Sequence, residues 1–163
     1  MLTYEQANEY LSHDSKTGVL VWKKDINKQK AGNIAGYVCK HNGYVIVYLL
    51  GKIHKAHRIA WLLNYGEYPK NQIDHINGIK HDNRLCNLRE ATNQQNCFNL
   101  RDKRSHNSTG YLGVSFARGC FKPYKAKIVL NGKQKHLGCY ETAELAHEAY
   151  LKAKRELHEF CTI

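Results

Sequence analysis

The chain has 163 residues, 42% of them apolar and 24% charged, a balance that excludes a disordered or fibrous chain and suits one ordinary domain or two small ones. No apolar run is long enough to cross a bilayer, and the opening MLTYEQANEY lacks a basic-then-apolar signal pattern, so no membrane partner and a cytoplasmic location are expected. The net charge of +11 points to a polyanionic partner, because Lys and Arg on phosphates release condensed counterions.

The positive charge is unevenly spread. Arg101 to Leu137 holds nine basic residues against the single acid Asp102, whereas Gly138 to Ile163 holds three against five. One part of the C-terminal region is therefore expected to form a basic face, the footprint of a nucleic-acid binder. The six cysteines (39, 86, 97, 120, 139 and 161) have no C-x-x-C spacing, which predicts reduced thiols and no structural zinc site.

In chain order, Thr3 to Leu11 reads as a short helix, with Thr3 as N-cap and Gln6 closing a capping box. Val19 to Trp22 is a strand, and the polar stretch from Asp25 to Ile34 is a loop. Tyr44 to Leu50 is the strongest strand in the sequence. Gly51-Lys52 turns it into a hairpin with Ile53 to Lys55. From Ala56 to Asn64 the apolar spacing becomes helical and ends at Gly66. Ile73 to Ile76 and Leu88 to Ala91 are short strands around a polar loop that opens on Asn77-Gly78, and Thr92 caps a short helix over 93–99.

RDKRSHNS (101–108) reads as a basic linker. Beyond it, strands are expected near 111–117, 123–130 and 133–140, with Asn131-Gly132 turning between the last two. A final helix capped by Thr142 should turn Ala146, Ala149, Tyr150, Ala153 and Leu157 inward. The domains expected are 1–100, with a core at about 55–100, and 109–163, in an α+β chain.

The stretch IDHINGIKHDNRLCNLREATNQQN (73–96) carries the chemistry. Hydrolysis of a phosphodiester needs an activated water, a cation on the phosphate oxygens and correct alignment. His75 titrates near neutrality and can act as base. Asp74 and the Asn96 amide carbonyl are hard oxygen donors for a divalent cation. Asn87 can hold the far side of the His75 ring. An isolated Asp-His pair is more often a turn element.

The longer string, D-H-x-x-G, then D-N-R-L-x-N-L-R, then N, resembles the HNH endonucleases, in particular homing-type enzymes of phages and introns. It is met here by Asp74, His75, Gly78, Asp82, Asn83, Arg84, Leu85, Asn87, Leu88, Arg89 and Asn96. The resemblance implies a ββα-metal fold, with His75 as general base, Asp74 and Asn96 as metal ligands and Asn87 orienting His75. It also implies a divalent cofactor, Mg2+ or alternatively Mn2+. Asn96 stands where the name-giving pattern has histidine. Asp82, Asn83 and Arg84 are expected to tie down the loop, His57-Arg58 to pack or contact phosphate, and His81 to be at most a substrate contact. The tyrosines and Trp61 are expected in the core.

GYLGV (110–114), YKAKI (124–128), HLGCYETAELAHEAY (136–150) and the terminal HEF resemble the AP2 domain, a three-stranded sheet packed on one helix. That resemblance implies duplex-DNA binding by the sheet face, with Arg118, Tyr124, Lys125, Lys127, Lys133, Lys135 and His136 as contacts. Ser115 and Ala117 occupy positions where plant members usually carry arginine, so no base preference follows.

The leading expectation is a metal-dependent endonuclease that nicks or cuts duplex DNA, acting as a monomer in a cytoplasm (a host's, if phage-encoded). The alternative is a non-catalytic DNA-binding or regulatory protein with a decayed core. An RNA-directed enzyme is disfavoured, since no RNA-recognition pattern with stacking aromatics is evident.

Overall fold

A computed structural model of the chain describes residues 1–100, 107–130, 132–158 and 161–162. Most of the expected linker, 101–106, and Asn131 of the expected turn lie outside the described residues. The chain divides into two compact units, Met1–Asn93 and Gln94–Ile163, so the division falls inside the short helix that begins at Asn93.

The first unit opens with α1 (Tyr4–Tyr10), closed at its N-terminus by the expected reciprocal Thr3–Gln6 capping box. Leu11 does not continue that helix. It is extended, and it starts β1 (Leu11–His13), which pairs antiparallel with β2 (Leu20–Trp22). The short β3 (Tyr37–Val38) and the β4–β5 hairpin (Val45–Leu49 and Lys52–Lys55) form a three-stranded sheet in the order β3-β4-β5. The helix α2 (Ala56–Tyr65) follows β5 directly and stops at Gly66, whose φ of 78° supplies the left-handed cap.

Leu11, Val47, Leu49 and Ile59 are at most 1% exposed and form the centre of this unit with Leu2, Ala7, Leu20, Trp22 and Leu62. Each buried Val, Leu or Ile side chain contributes roughly 1.5–3 kcal/mol. A second, smaller cluster of Ala60, Ile73 and Leu88 seats β6 (Gln72–His75) and β7 (Leu88–Ala91) on α2. β6 and β7 pair antiparallel, with Asp74 opposite Arg89 and His75 opposite Leu88.

The helix α3 (Asn93–Phe98) leads into the second unit. There Phe98 stacks on His158 at 3.8 Å between ring centroids, Lys154 donates to the Leu100 carbonyl, and Thr162 donates to Asn99. These contacts explain why the residues after Asn93 group with the C-terminal part. β8 (Val114–Phe116), β9 (Tyr124–Leu130) and β10 (Lys133–Tyr140) form an antiparallel sheet with β9 central. The helix α4 (Ala143–Leu157), capped by Thr142, packs on it through Ala143, Ala146, Tyr150 and Ala153. A Cβ on Gly113 would stand 2.1 Å from the Tyr150 ring, so the close approach of helix and sheet requires glycine there. Leu157, expected on the inner face, is 39% exposed, and Lys154 is buried instead, its ammonium capping the Leu100 carbonyl.

Candidate functional site

Asp74 and His75 end β6, and the chain then turns at Gly78 into a loop that returns through a short 3-10 turn (Leu85–Asn87) to β7. Asn87 fastens this loop to itself. Its Oδ1 accepts from the Asn77 amide at 2.9 Å, its Nδ2 donates to the Asp82 carbonyl at 2.8 Å, and its own carbonyl accepts from Ile76 N–H. Asp82 adds an ion pair with Arg84 at 2.6 Å and accepts from Asn77 Nδ2. That pairing with Arg84 holds the Asp82 carboxyl down at about 2.

The expectation that Asn87 holds the His75 ring is therefore corrected. Both ends of its amide go to loop backbone. The side chain that meets the ring is Asn83, whose Oδ1 lies 3.3 Å from His75 Nε2. Asn83 is 3% exposed, so it is part of the site and not only a loop tie. With Nε2–H donating to that oxygen, Nδ1 keeps the lone pair.

His75 is buried against two rings. His57, at the start of α2, meets it edge-on at 5.1 Å, and Tyr44 lies 5.9 Å from His75 and 5.2 Å from His57. Burial lowers the His75 pKa below its ordinary 6.5, against the opposing pull of the Asn83 hydrogen bond and the Asp74 charge. Burial, together with the His75, Lys55 and Arg58 charges, pushes His57 down to about 3. Both imidazoles are thus neutral near pH 7. The His57 Nδ1 is buried without a hydrogen-bond partner.

Asp74 is 5% exposed, and its Oδ2 accepts from Arg89 Nε at 2.9 Å and from Nη2 at 2.8 Å. A buried carboxylate without such a partner would be costly. Lys55 and Lys80 stand over the Tyr44 ring at 4.5 and 5.3 Å, which places two cations beside the histidine pair. Asn96 lies half-buried on α3, in the second unit. His81 is exposed on the loop. Tyr37, Tyr48 and Tyr65 are more than half exposed and do not belong to the core as expected.

In the second unit the expected DNA contacts fall on different faces. Lys125, Lys127 and His136 share the face turned away from α4, since Lys127 pairs with His136 and alternates with the buried Ala126 and Ile128. Tyr124 packs against the core cluster and meets Phe116 at 5.4 Å, so it is not an open-face contact. Lys133 and Lys135 pair with Leu130 and Ile128, on helix-side register positions, yet both are exposed at the hairpin end. Arg118 is exposed in the β8–β9 loop. All six cysteines are free thiols, and Cys139 Sγ lies 3.7 Å from His136 Nε2.

Residues 54–97 match the HNH endonuclease family. The chain is 35% identical over 117 residues to an uncharacterized HNH endonuclease, L560, of Acanthamoeba polyphaga mimivirus, a match covering 71% of this chain and 59% of that protein. It is 30% identical over 108 residues to Protein 3.8 of Escherichia phage T7, covering 66% of this chain and 87% of that protein. No solved structure matches the chain significantly.

Proposed function

Because residues 54–97 form an HNH endonuclease family domain, we propose that the chain hydrolyses phosphodiester bonds of duplex DNA with His75 as general base and a divalent cation as cofactor. The observation that carries this reading is the state of His75: buried, neutral near pH 7, Nε2 fixed by Asn83, and adjacent in sequence to the Asp74 carboxylate. A neutral imidazole can accept a proton from water without having to shed one first.

The donor set fits a hard cation. Among the described residues no group of three or more His, Cys, Asp or Glu side chains could cage a metal. Mg2+, with Mn2+ as alternative, is commonly held by one or two protein oxygens, waters and substrate phosphate. Asp74 and the Asn96 amide carbonyl are the residues proposed to hold it. When bound, the cation neutralises developing charge on the phosphate and leaving oxygens. Arg89 pairs the buried Asp74 charge through Oδ2. Asn87, Asp82 and Arg84 keep the loop in the shape that brings Asn83 to the ring. Lys55 and Lys80 offer positive charge to a phosphate backbone at the mouth of the site.

The second unit is proposed to act as an AP2-like module on the same duplex. Lys125, Lys127 and His136 on the open sheet face would make the principal contacts, with Arg118, Lys133 and Lys135 at its margins. A homing-type, monomeric enzyme is the form of this reading we favour. The test is cleavage of supercoiled plasmid with and without Mg2+, beside His75→Ala. Nicks or breaks that need both the metal and His75 support the reading. Duplex binding without cleavage, under any divalent ion, favours a non-catalytic binder.

A further inference from the structure

Residues 13–18, in the N-terminal hairpin, grip the peptide that carries Asn83. They lie outside the family match, which begins at residue 54. His13 Nε2 is 3.1 Å from the Asn83 carbonyl, and the Leu85 amide donates to the Ser15 carbonyl at 3.0 Å. The Gly18 backbone presses on the same peptide. A Cβ there would stand 2.4 Å from Arg84 N and 2.6 Å from the Asn83 carbonyl carbon, and its φ of 76° independently favours glycine.

The directions of the two His13 hydrogen bonds are forced. Asn64 Nδ2 donates to the Ala60 carbonyl at 2.7 Å, which can only accept, and that fixes the orientation of the Asn64 amide. The second Nδ2 hydrogen points at His13 Nδ1, 2.8 Å away, so Nδ1 must accept. His13 is then neutral and carries its proton on Nε2, the atom facing the Asn83 carbonyl. Asn83 Oδ1 in turn accepts from His75 Nε2–H, which leaves Nδ1 of His75 as the lone-pair nitrogen. Donation runs from Asn64 to His13 and from His13 to the Asn83 carbonyl, and Asn83 accepts a second time, at Oδ1, from the ring of His75.

We infer that His13, with Asn64 behind it, is a positioning residue for the nuclease base, acting by fixing the Asn83 peptide whose side chain sets the orientation and tautomer of His75. The inference rests on the reading of His75 as general base. It makes the N-terminal hairpin a working part of the site and not a separate decoration. Outer partners of this kind typically change activity by about 10–100-fold when removed.

The experiment uses the full chain. Ring 15N shifts of His75 are recorded in the wild type, His13→Ala and Asn64→Ala, alongside plasmid cleavage kinetics in Mg2+. Asn64 is exposed on α2, so its truncation tests the same cluster without opening the interior. The wild type should show the Nε2–H tautomer. His13→Ala should show a mixture of tautomers, with kcat reduced about 10–100-fold and KM nearly unchanged. His13→Gln, which restores an N–H donor toward the Asn83 carbonyl, should recover most of both. Wild-type His75 signals in both alanine variants would overturn the inference, as would shifted signals with kcat unchanged. A wild type that shows the expected tautomer and its loss in His13→Ala, yet cleaves no DNA, would uphold the positioning and defeat the nuclease reading alone.

Discussion

Asp74 and Arg89 face each other directly across the β6–β7 pair, and the Arg89 guanidinium places two nitrogens within 2.9 Å of a single oxygen of that buried carboxylate. The pair sets a positive charge against a buried carboxylate. Removing one partner of a buried pair typically costs several kcal/mol. Arg89→Ala is expected to lose about 3 kcal/mol of stability in metal-free buffer. If Asp74 holds the cation, Mg2+ should raise the melting temperature of the variant more than that of the wild type, since the cation then replaces the lost positive charge. Equal Mg2+ effects on the two proteins would remove Asp74 from the metal site.

The buried His57 ties stability to acid. Its folded pKa of about 3 lies well below the ordinary 6.5, so the unfolded chain takes up a proton that the folded chain refuses. Its contribution is intact above pH 6.5 and is lost progressively as pH falls toward 3. By pH 4.5 the loss should reach about 2–3 kcal/mol from this group alone. His57→Phe should therefore flatten the acid limb of a stability–pH curve measured by denaturant unfolding. An unchanged limb would show that other groups set it.

Sheet register separates the lysines of the second unit. Lys125 and Lys127 lie on the face turned from α4, whereas Lys133 and Lys135 occupy helix-side positions at the hairpin end. Replacing Lys125 and Lys127 together by alanine should weaken duplex binding and flatten its salt dependence by roughly 0.9 units of slope per lost phosphate contact. The Lys133, Lys135 double variant should do less. The reverse order, read from binding titrations across a salt series, would move the DNA to the other face of the sheet.

Gly113 offers a test of the second unit's packing that is independent of DNA. Alanine there meets the Tyr150 ring at 2.1 Å and a φ of 77° that disfavours any side chain. Overpacking of this kind typically costs about 1–3 kcal/mol. Chemical denaturation of Gly113→Ala should show the C-terminal unit destabilised by at least that much, and full stability would mean that α4 does not lie so close to the sheet.

Periodicity made α2, the β4–β5 hairpin, β6, β7 and α4 legible, because each buries one face against a neighbour. β1 and β3 were not legible. They are three and two residues long, too short to show alternation, and they exist because β2 and β4 offer partners. The string from Asp74 to Asn96 announced the chemistry but not its supports. Asn83 looked like one of three loop ties, and only the fold shows that its neighbours Asp82 and Arg84 close on each other while it turns to His75. Tyr44 lies in a segment whose pattern reads simply as core and His57-Arg58 reads as a packing or phosphate-contacting pair, so neither pattern points to His75. His13 is seventy residues from Asn83, a separation that no local spacing encodes.

The decisive measurement is cleavage of supercoiled plasmid by the wild type and His75→Ala, each with Mg2+ and with chelator. Mg2+-dependent nicks or breaks are expected from the wild type, lowered on the order of 10²-fold or more in the variant while duplex binding stays nearly the same. Cleavage at equal rates by both proteins would contradict His75 as the base. Tight binding with no cleavage by the wild type, across plasmids carrying varied target DNA and with Mn2+ as well as Mg2+, would contradict the enzyme itself.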